Sequence, residues 1–219
     1  MATLLVRVAL TDRPGALGAV ASRIGALRGD VVAVEIVERV DGCAVDEFVV
    51  RLPDEQRVPL LVSEIEEVDG ATVEEIHLVE DGGRDRRLDA YDCAVALLTE
   101  RAPERVLGLL ASFARRELDA VWSAVVDAND ALIVAADGRP PAAQWLAAHV
   151  SDTPAGATSS DIEWVHLASW DLALMVGRPG WQFRQHERSR LAALARLADA
   201  RWSDLSEREA RSAHPSRVG

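Results

Sequence analysis

The stretch Asp12-Arg13-Pro14-Gly15-Ala16-Leu17 constrains the fold more than any other. It joins a β-branched and apolar run, Thr3 to Leu10, to a run in which Ala16, Leu17, Val20, Ile24 and Leu27 recur at helical spacing. The stretch therefore reads as a strand, a tight bend and a helix. Pro14 presets a φ suited to a first helical turn, and Gly15 lets another group approach the backbone where a Cβ would otherwise stand. Such a bend aims N–H groups and the positive end of a helix dipole at one place, where a small anion or carboxylate fits. In the competing reading, Asp12 is an N-cap that accepts from the first turn and Gly15 only opens the helix.

The elements that follow decide how the bend is used. Val31 to Arg39 alternates as a strand, Val40-Asp41-Gly42 turns, and Ala44 to Leu52 returns. A helical stretch near Gln56 to Glu67, a turn at Asp69-Gly70 and a strand over Thr72 to Glu80 complete the order β-α-β-β-α-β. With Asp12-x-Pro14-Gly15-x-Leu17 between its first strand and first helix, this segment resembles an ACT domain, a small regulatory module that commonly binds amino acids. The resemblance implies a ferredoxin-like domain over residues 1–82 that pairs with a second copy. It also implies a ligand held between the bend of one copy and the start of the second strand of the other. Asp12, Arg13, Pro14, Gly15, Ala16 and Leu17 then form the site, with Val31 where many members carry an asparagine. Val31 and the acidic first domain favour an apolar amino acid over an acidic one.

Residues 83–87 read as a linker, and all six tryptophans lie beyond them. Leu88, Tyr91, Val95 and Leu98 recur at helical steps and mark an apolar face, and a second helix starts near Pro103. Val121 to Val126 and Ala131 to Ala135 form an antiparallel pair about Asn129-Asp130. A helix over 140–149, a loop over Ser151 to Asp161 and strands over Glu163 to Ser169 and Asp171 to Val176 follow. A long helix then runs from Phe183 to about Leu205. The order, with Leu174 to Arg178 running into Phe183 to Leu191, resembles a GAF-like α/β sensor domain with an antiparallel sheet, assigned to residues 88–206. Residues 207–219 read as a polar tail. The asparagine-lysine pair of cyclic-nucleotide-binding members is absent. The expected fold class is therefore α+β throughout.

Composition removes several functions. Every basic residue is arginine, so no Schiff-base lysine, pyridoxal-phosphate anchor or Walker A lysine exists. Residues 1–82 hold 7 Arg against 17 Asp and Glu, hence −10 of the total −12, and such a surface repels nucleic acid. No apolar run approaches the roughly 20 residues that span a bilayer. The two cysteines, Cys43 and Cys93, make no disulfide framework, and the start at Met1 carries no secretory pattern, so a cytoplasmic location is expected. No metal-ligand spacing, nucleophile elbow or cofactor motif is present. Trp164, His166 and Arg178 are the candidates for a second-domain pocket. Arg178, Arg184, Arg188 and Arg190 form a positive cluster that either holds an acidic ligand or a partner's acidic surface, or is a solvated helix face salt-bridged to Glu187. The expected function is a non-catalytic, amino-acid-binding sensor, homodimeric through its first domain and without cofactor. The alternatives are a regulatory subunit sitting on a biosynthetic enzyme and an enzyme using the second-domain pocket.

Overall fold

In the computed structural model, residues 1–40, 42–79, 86–155 and 161–213 are described, and they divide into two compact units, Met1–Arg84 and Asp85–Gly219. Both are mixed α and β, each with a four-stranded antiparallel sheet.

The first unit runs β1 (Ala2–Thr11), α1 (Ala16–Ala26), β2 (Asp30–Val40), β3 (Cys43–Leu52), α2 (Val58–Glu66) and β4 (Ala71–Leu78), with a short 3-10 turn at Glu55–Arg57 before α2. The order across the sheet is β2-β3-β1-β4, the ferredoxin-like arrangement expected of this element order. Period-two alternation assigns the faces. Leu4, Val6, Val8 and Leu10 of β1 join Phe48, Val50 and Leu52 of β3 in a core closed by Val20 and Ile24 of α1 and Leu61 and Ile65 of α2.

On the opposite face, buried Arg7 lies across from Glu47 and Glu75 in the register of the two flanking strands. Its Nε donates to Glu47 at 2.6 Å and its Nη1 to Glu75 at 2.8 Å. Two carboxylates share one guanidinium in the middle of the sheet, where losing the cation would leave a buried charge without its counterion.

The second unit runs α3 (Arg86–Thr99), α4 (Pro103–Glu117), β5 (Trp122–Asp127), β6 (Leu132–Gly138), α5 (Ala143–Asp152), β7 (Ile162–Leu167), β8 (Leu172–Gly177) and α6 (Gln185–Ala213). Its sheet order is β6-β5-β8-β7. The hairpins β5–β6 and β7–β8 each turn through four residues, close on a left-handed residue (Ala131, φ 50°; Asp171, φ 55°), and end in Gly-Arg-Pro. They lie side by side in the same sense, as a repeat. The sheet is covered on both faces. Val125, Leu174 and Val176 meet α4 and α6, while Trp122, Ala124, Val126 and Met175 meet Leu146 of α5.

Three boundaries move from their expected places. Helix α3 begins at Arg86, inside the expected linker, whose residues 83–85 lie outside the described residues. Helix α5 continues through Asp152 into the expected loop, and residues 156–160 of that loop lie outside the described set. Helix α6 continues past Leu205 to Ala213, so the expected polar tail begins as helix, supported by Asp204–Arg208 and Glu207–Arg211 pairs at i,i+4 spacing. Among the described residues, no helix is long and apolar enough to cross a membrane.

The face of α3 is the larger correction. Leu88, Tyr91, Val95 and Leu98 are 55–71% exposed, and Cys93 and Leu97 are the residues that enter the core. Both sets recur at helical spacing, and the inward set is chosen by its fit against α4 and α6.

Candidate functional site

The bend is anchored by its neighbours and left open above. The N–H of Thr11 donates to the carbonyl of Gly70 at 3.0 Å, and that of Asp12 to Gly42 at 2.8 Å. Arg13 donates through Nη2 to the carbonyl of Asp69 at 2.8 Å and stands 3.3 Å from its carboxylate. The turn closes with Ala16 N–H on the Arg13 carbonyl at 3.2 Å. Helix α1 thus starts at a point fixed by the turns at Gly42 and Gly70.

The cap of α1 is Gly15, at φ 90° and ψ −8°, and no side chain caps the helix. Asp12 is therefore not the N-cap, and Pro14 lies ahead of the first helical turn instead of within it. The N–H groups of Gly15, Leu17 and Gly18 have no acceptor among the described residues, and the first intrahelical bond on this end is Ala19 N–H to Gly15 O at 2.9 Å. Asp12 through Gly15 are exposed, Ala16 is buried and Leu17 half-buried against the core. A Cβ built on Gly15 would meet nothing within 4 Å, so its backbone angle, and not crowding by the protein, is what requires glycine.

One buried carboxyl missed by the sequence reading feels the charge of the bend's Asp12. Asp46 of β3 lies opposite Val8 and Ile36 on the helix-facing side of the sheet, 1% exposed. Its Oδ1 is buried and accepts no hydrogen bond. Burial pushes its pKa up, Arg39 pulls it partly back, and the charge of Asp12 adds to the rise. The alternation Ala44, Asp46, Phe48, Val50, Leu52 already places this carboxylate in core register, and that signal is visible in the sequence. The bend therefore has three N–H groups without an acceptor among the described residues, and the charge of Asp12 is felt by the buried carboxyl of Asp46.

Val31 is not at this place within one chain. It opens β2, pairs with Val50 and packs on the core, with the whole of α1, about 16 Å of helix, between it and the bend.

In the second unit the three candidate pocket residues are not brought together. Trp164 and His166 share one face of β7, where the Trp164 indole donates to the Thr153 carbonyl at 3.0 Å and His166 Nε2 lies 3.0 Å from Asp171. Arg178 falls on the other side of the sheet, because the chain leaves β8 at Gly177 toward α4 and α6. It is 2% exposed, donates to the carbonyls of Leu118, Trp181 and Gln182, pairs with Glu187 at 2.6 Å and stacks on Trp181 and Phe183 at 3.8 and 4.0 Å. Arg178 is thereby a structural clamp. Of the expected positive cluster, Arg188 meets Glu163 at 2.6 Å and Arg190 lies 4.0 Å from Glu117.

An open cleft of about 560 Å³ is lined by Arg101, Arg201, Leu205, Arg208 and Glu209. Arg201 there already donates to the Glu100 carbonyl and to Asp204, which also takes Arg208 at 2.9 Å. Of the cysteines, Cys43 is exposed and Cys93 buried, and burial followed by the charge of Glu117 pushes the Cys93 thiol up to about 12.

No protein-family model and no curated protein sequence matches the chain. Among solved structures, it is similar to an ACT domain protein from Streptococcus pneumoniae at 16% identity, over 35% of this chain and 89% of that one, with a TM-score of 0.30. It is similar to the ACT domain from GTP pyrophosphokinase of Chlorobium tepidum at 13% identity, over 35% and 96% of the respective chains, with a TM-score of 0.28. Across 91% of its length it is similar to an unknown protein from Galdieria sulphuraria at 12% identity, over 92% of that chain, with a TM-score of 0.33.

Proposed function

We propose that this chain is a non-catalytic sensor that binds a free amino acid at the start of α1. The observation that carries the reading is the set of uncapped N–H groups of Gly15, Leu17 and Gly18 at a helix N-terminus whose Asp12 to Gly15 approach is exposed. They suit an α-carboxylate. The carboxylate of exposed Asp12, three residues before Gly15, suits an α-ammonium, which no simple anion supplies. The half-buried, apolar Leu17 and the −10 charge of residues 1–82 favour an apolar side chain over an acidic one.

The site is completed by a second copy. Strand β2 is an edge of its sheet and exposes Val34 at 46% and Ile36 at 45%, an arrangement that invites pairing with another strand. Pairing of β2 with its counterpart is the route by which Val31 of the partner subunit reaches the bend. The second unit, similar in element order to GAF domains, is the half that reads the occupancy of the first.

Calorimetry of the full chain with each proteinogenic amino acid at millimolar concentration tests this reading. An apolar amino acid should bind saturably, and its deaminated acid should bind at least tenfold more weakly. At 100 times its dissociation constant, it should add about 2.7 kcal/mol of stability. Absence of binding by every amino acid overturns the proposal. Since all six tryptophans lie in the second unit, their emission should follow the same isotherm if that unit responds. Binding with unchanged emission favours instead a regulatory subunit that signals to a separate enzyme.

A further inference from the structure

Helix α6 does not stop where its packing stops. It continues to Ala213, beyond Leu205, the last of its side chains to enter the core. Arg201, Asp204, Leu205 and Arg208 follow one another at offsets of three, four and seven residues, which sets them on one face of the helix. Arg201, Leu205 and Arg208 of that face line the cleft of about 560 Å³, together with Glu209 and with Arg101 from the turn between α3 and α4.

Three guanidiniums around one space repel one another, and the protein fixes them there without fully compensating them. The Arg201 side chain is 10% exposed and pinned, with Nε and Nη2 on the Glu100 carbonyl and Nη1 on Asp204 at 2.6 Å. Two of its five N–H groups remain unclaimed. Asp204 takes Arg208 on its other oxygen at 2.9 Å, so one carboxylate serves two cations. Arg101 is held by its backbone instead, because the Glu100 carboxylate accepts from the N–H groups of Arg101 at 2.7 Å and Ala102 at 3.0 Å. Its exposed guanidinium makes no hydrogen bond or ion pair among the described residues. Three arginines and one glutamate give the lining a charge of +2, or +1 with Asp204 counted, in a chain whose net charge is −12.

We infer that this cleft binds a small phosphorylated molecule through its phosphoryl group. Guanidiniums reach the space from two elements, the α3–α4 turn and α6. A phosphoryl group offers three oxygens to donors on different sides, whereas a carboxylate is satisfied by one bidentate arginine. The volume falls within the roughly 300–1,000 Å³ of small-molecule sites, which makes the occupant a metabolite and not a protein surface. The site lies wholly in the second unit, so it is separate from the bend and stands or falls without it.

Pyrophosphate is the probe, titrated calorimetrically into the full chain at about 0.15 M salt, where exposed charges more than about 8 Å apart are screened. It should bind saturably at one site per chain, and succinate, whose carboxylates are planar, should bind about tenfold more weakly or worse. Arg101→Ala should weaken pyrophosphate by about tenfold or more, the loss of a charge-assisted hydrogen bond. The melting temperature of the free chain should stay that of the parent, since the Arg101 side chain holds nothing in the fold. Gly15→Asn, placed at the bend, should leave pyrophosphate affinity unchanged. Absence of saturable pyrophosphate binding, equal binding of succinate, or pyrophosphate affinity untouched by Arg101→Ala overturns the proposal.

Discussion

Replacing Gly15 by alanine and, separately, by asparagine distinguishes a glycine required by the backbone from one required by a ligand. At φ 90° any side chain is strained, and because a Cβ there meets no atom within 4 Å, strain is the whole cost in the free protein. For alanine this is about 1–2 kcal/mol. For asparagine, which visits left-handed backbone more readily, it is about half that. The first unit spans Met1–Arg84. At about 2.1 cal/mol/K per residue, its melting temperature should fall by roughly 6–11 °C for alanine and about 3–6 °C for asparagine. Far-UV circular dichroism follows the loss, and tryptophan emission supplies a control confined to the second unit. Binding should rank the variants the other way. The asparagine side chain keeps the bend but fills the open space beside the free N–H groups, so it should weaken amino-acid affinity more than alanine does. If Gly15→Asn binds like the parent while Gly15→Ala does not, the space over the bend is not the ligand's, and the site reasoning fails.

Arg178→Met should cost the second unit about 3–5 kcal/mol, because it leaves Glu187 buried without its cation, and the loss should shrink when Glu187→Gln is added. Urea unfolding followed by tryptophan emission measures both. Asp46→Asn should stabilise the first unit at pH 7. A carboxyl whose folded pKa is raised binds more protons folded than unfolded, so its penalty grows as pH rises through that window and vanishes below the unfolded value, near pH 4. Unfolding at pH 4 and pH 7 should therefore show the advantage only at pH 7. With a thiol-reactive disulfide at pH 8, Cys43 should react at once and Cys93 only at the rate of unfolding.

The first unit was largely legible because its signals are local. Alternation assigned the faces of β1 and β3, and the bend lies between a strand and a helix as the spacing requires. The cap was not legible, since Asp12 and Gly15 are both good cap residues and only the backbone angles distinguish them. Asp46 was legible and overlooked, a carboxylate in core register on β3. In the second unit, period alone misled. Leu88, Tyr91, Val95 and Leu98 announce an apolar face as clearly as Cys93 and Leu97 do, and periodicity says that a face is apolar without saying what covers it. Arg178 was misplaced because its side of the sheet is set by where β8 ends, and its donors are claimed by carbonyls 60 residues back and a few residues ahead.

The placement of β1 between β3 and β4 has a consequence during synthesis. Strand β1 leaves the ribosome before either of its neighbours, and the second of them, β4, ends at Leu78, so until then one edge of an apolar strand has nothing to pair with. Loop closure over that separation is slow compared with the four-residue turns of the second unit's hairpins. The nascent first unit is therefore the segment of this chain most in need of protection from aggregation, and slowing elongation just before Ala71 should lower the yield of folded protein more than slowing it after Leu78.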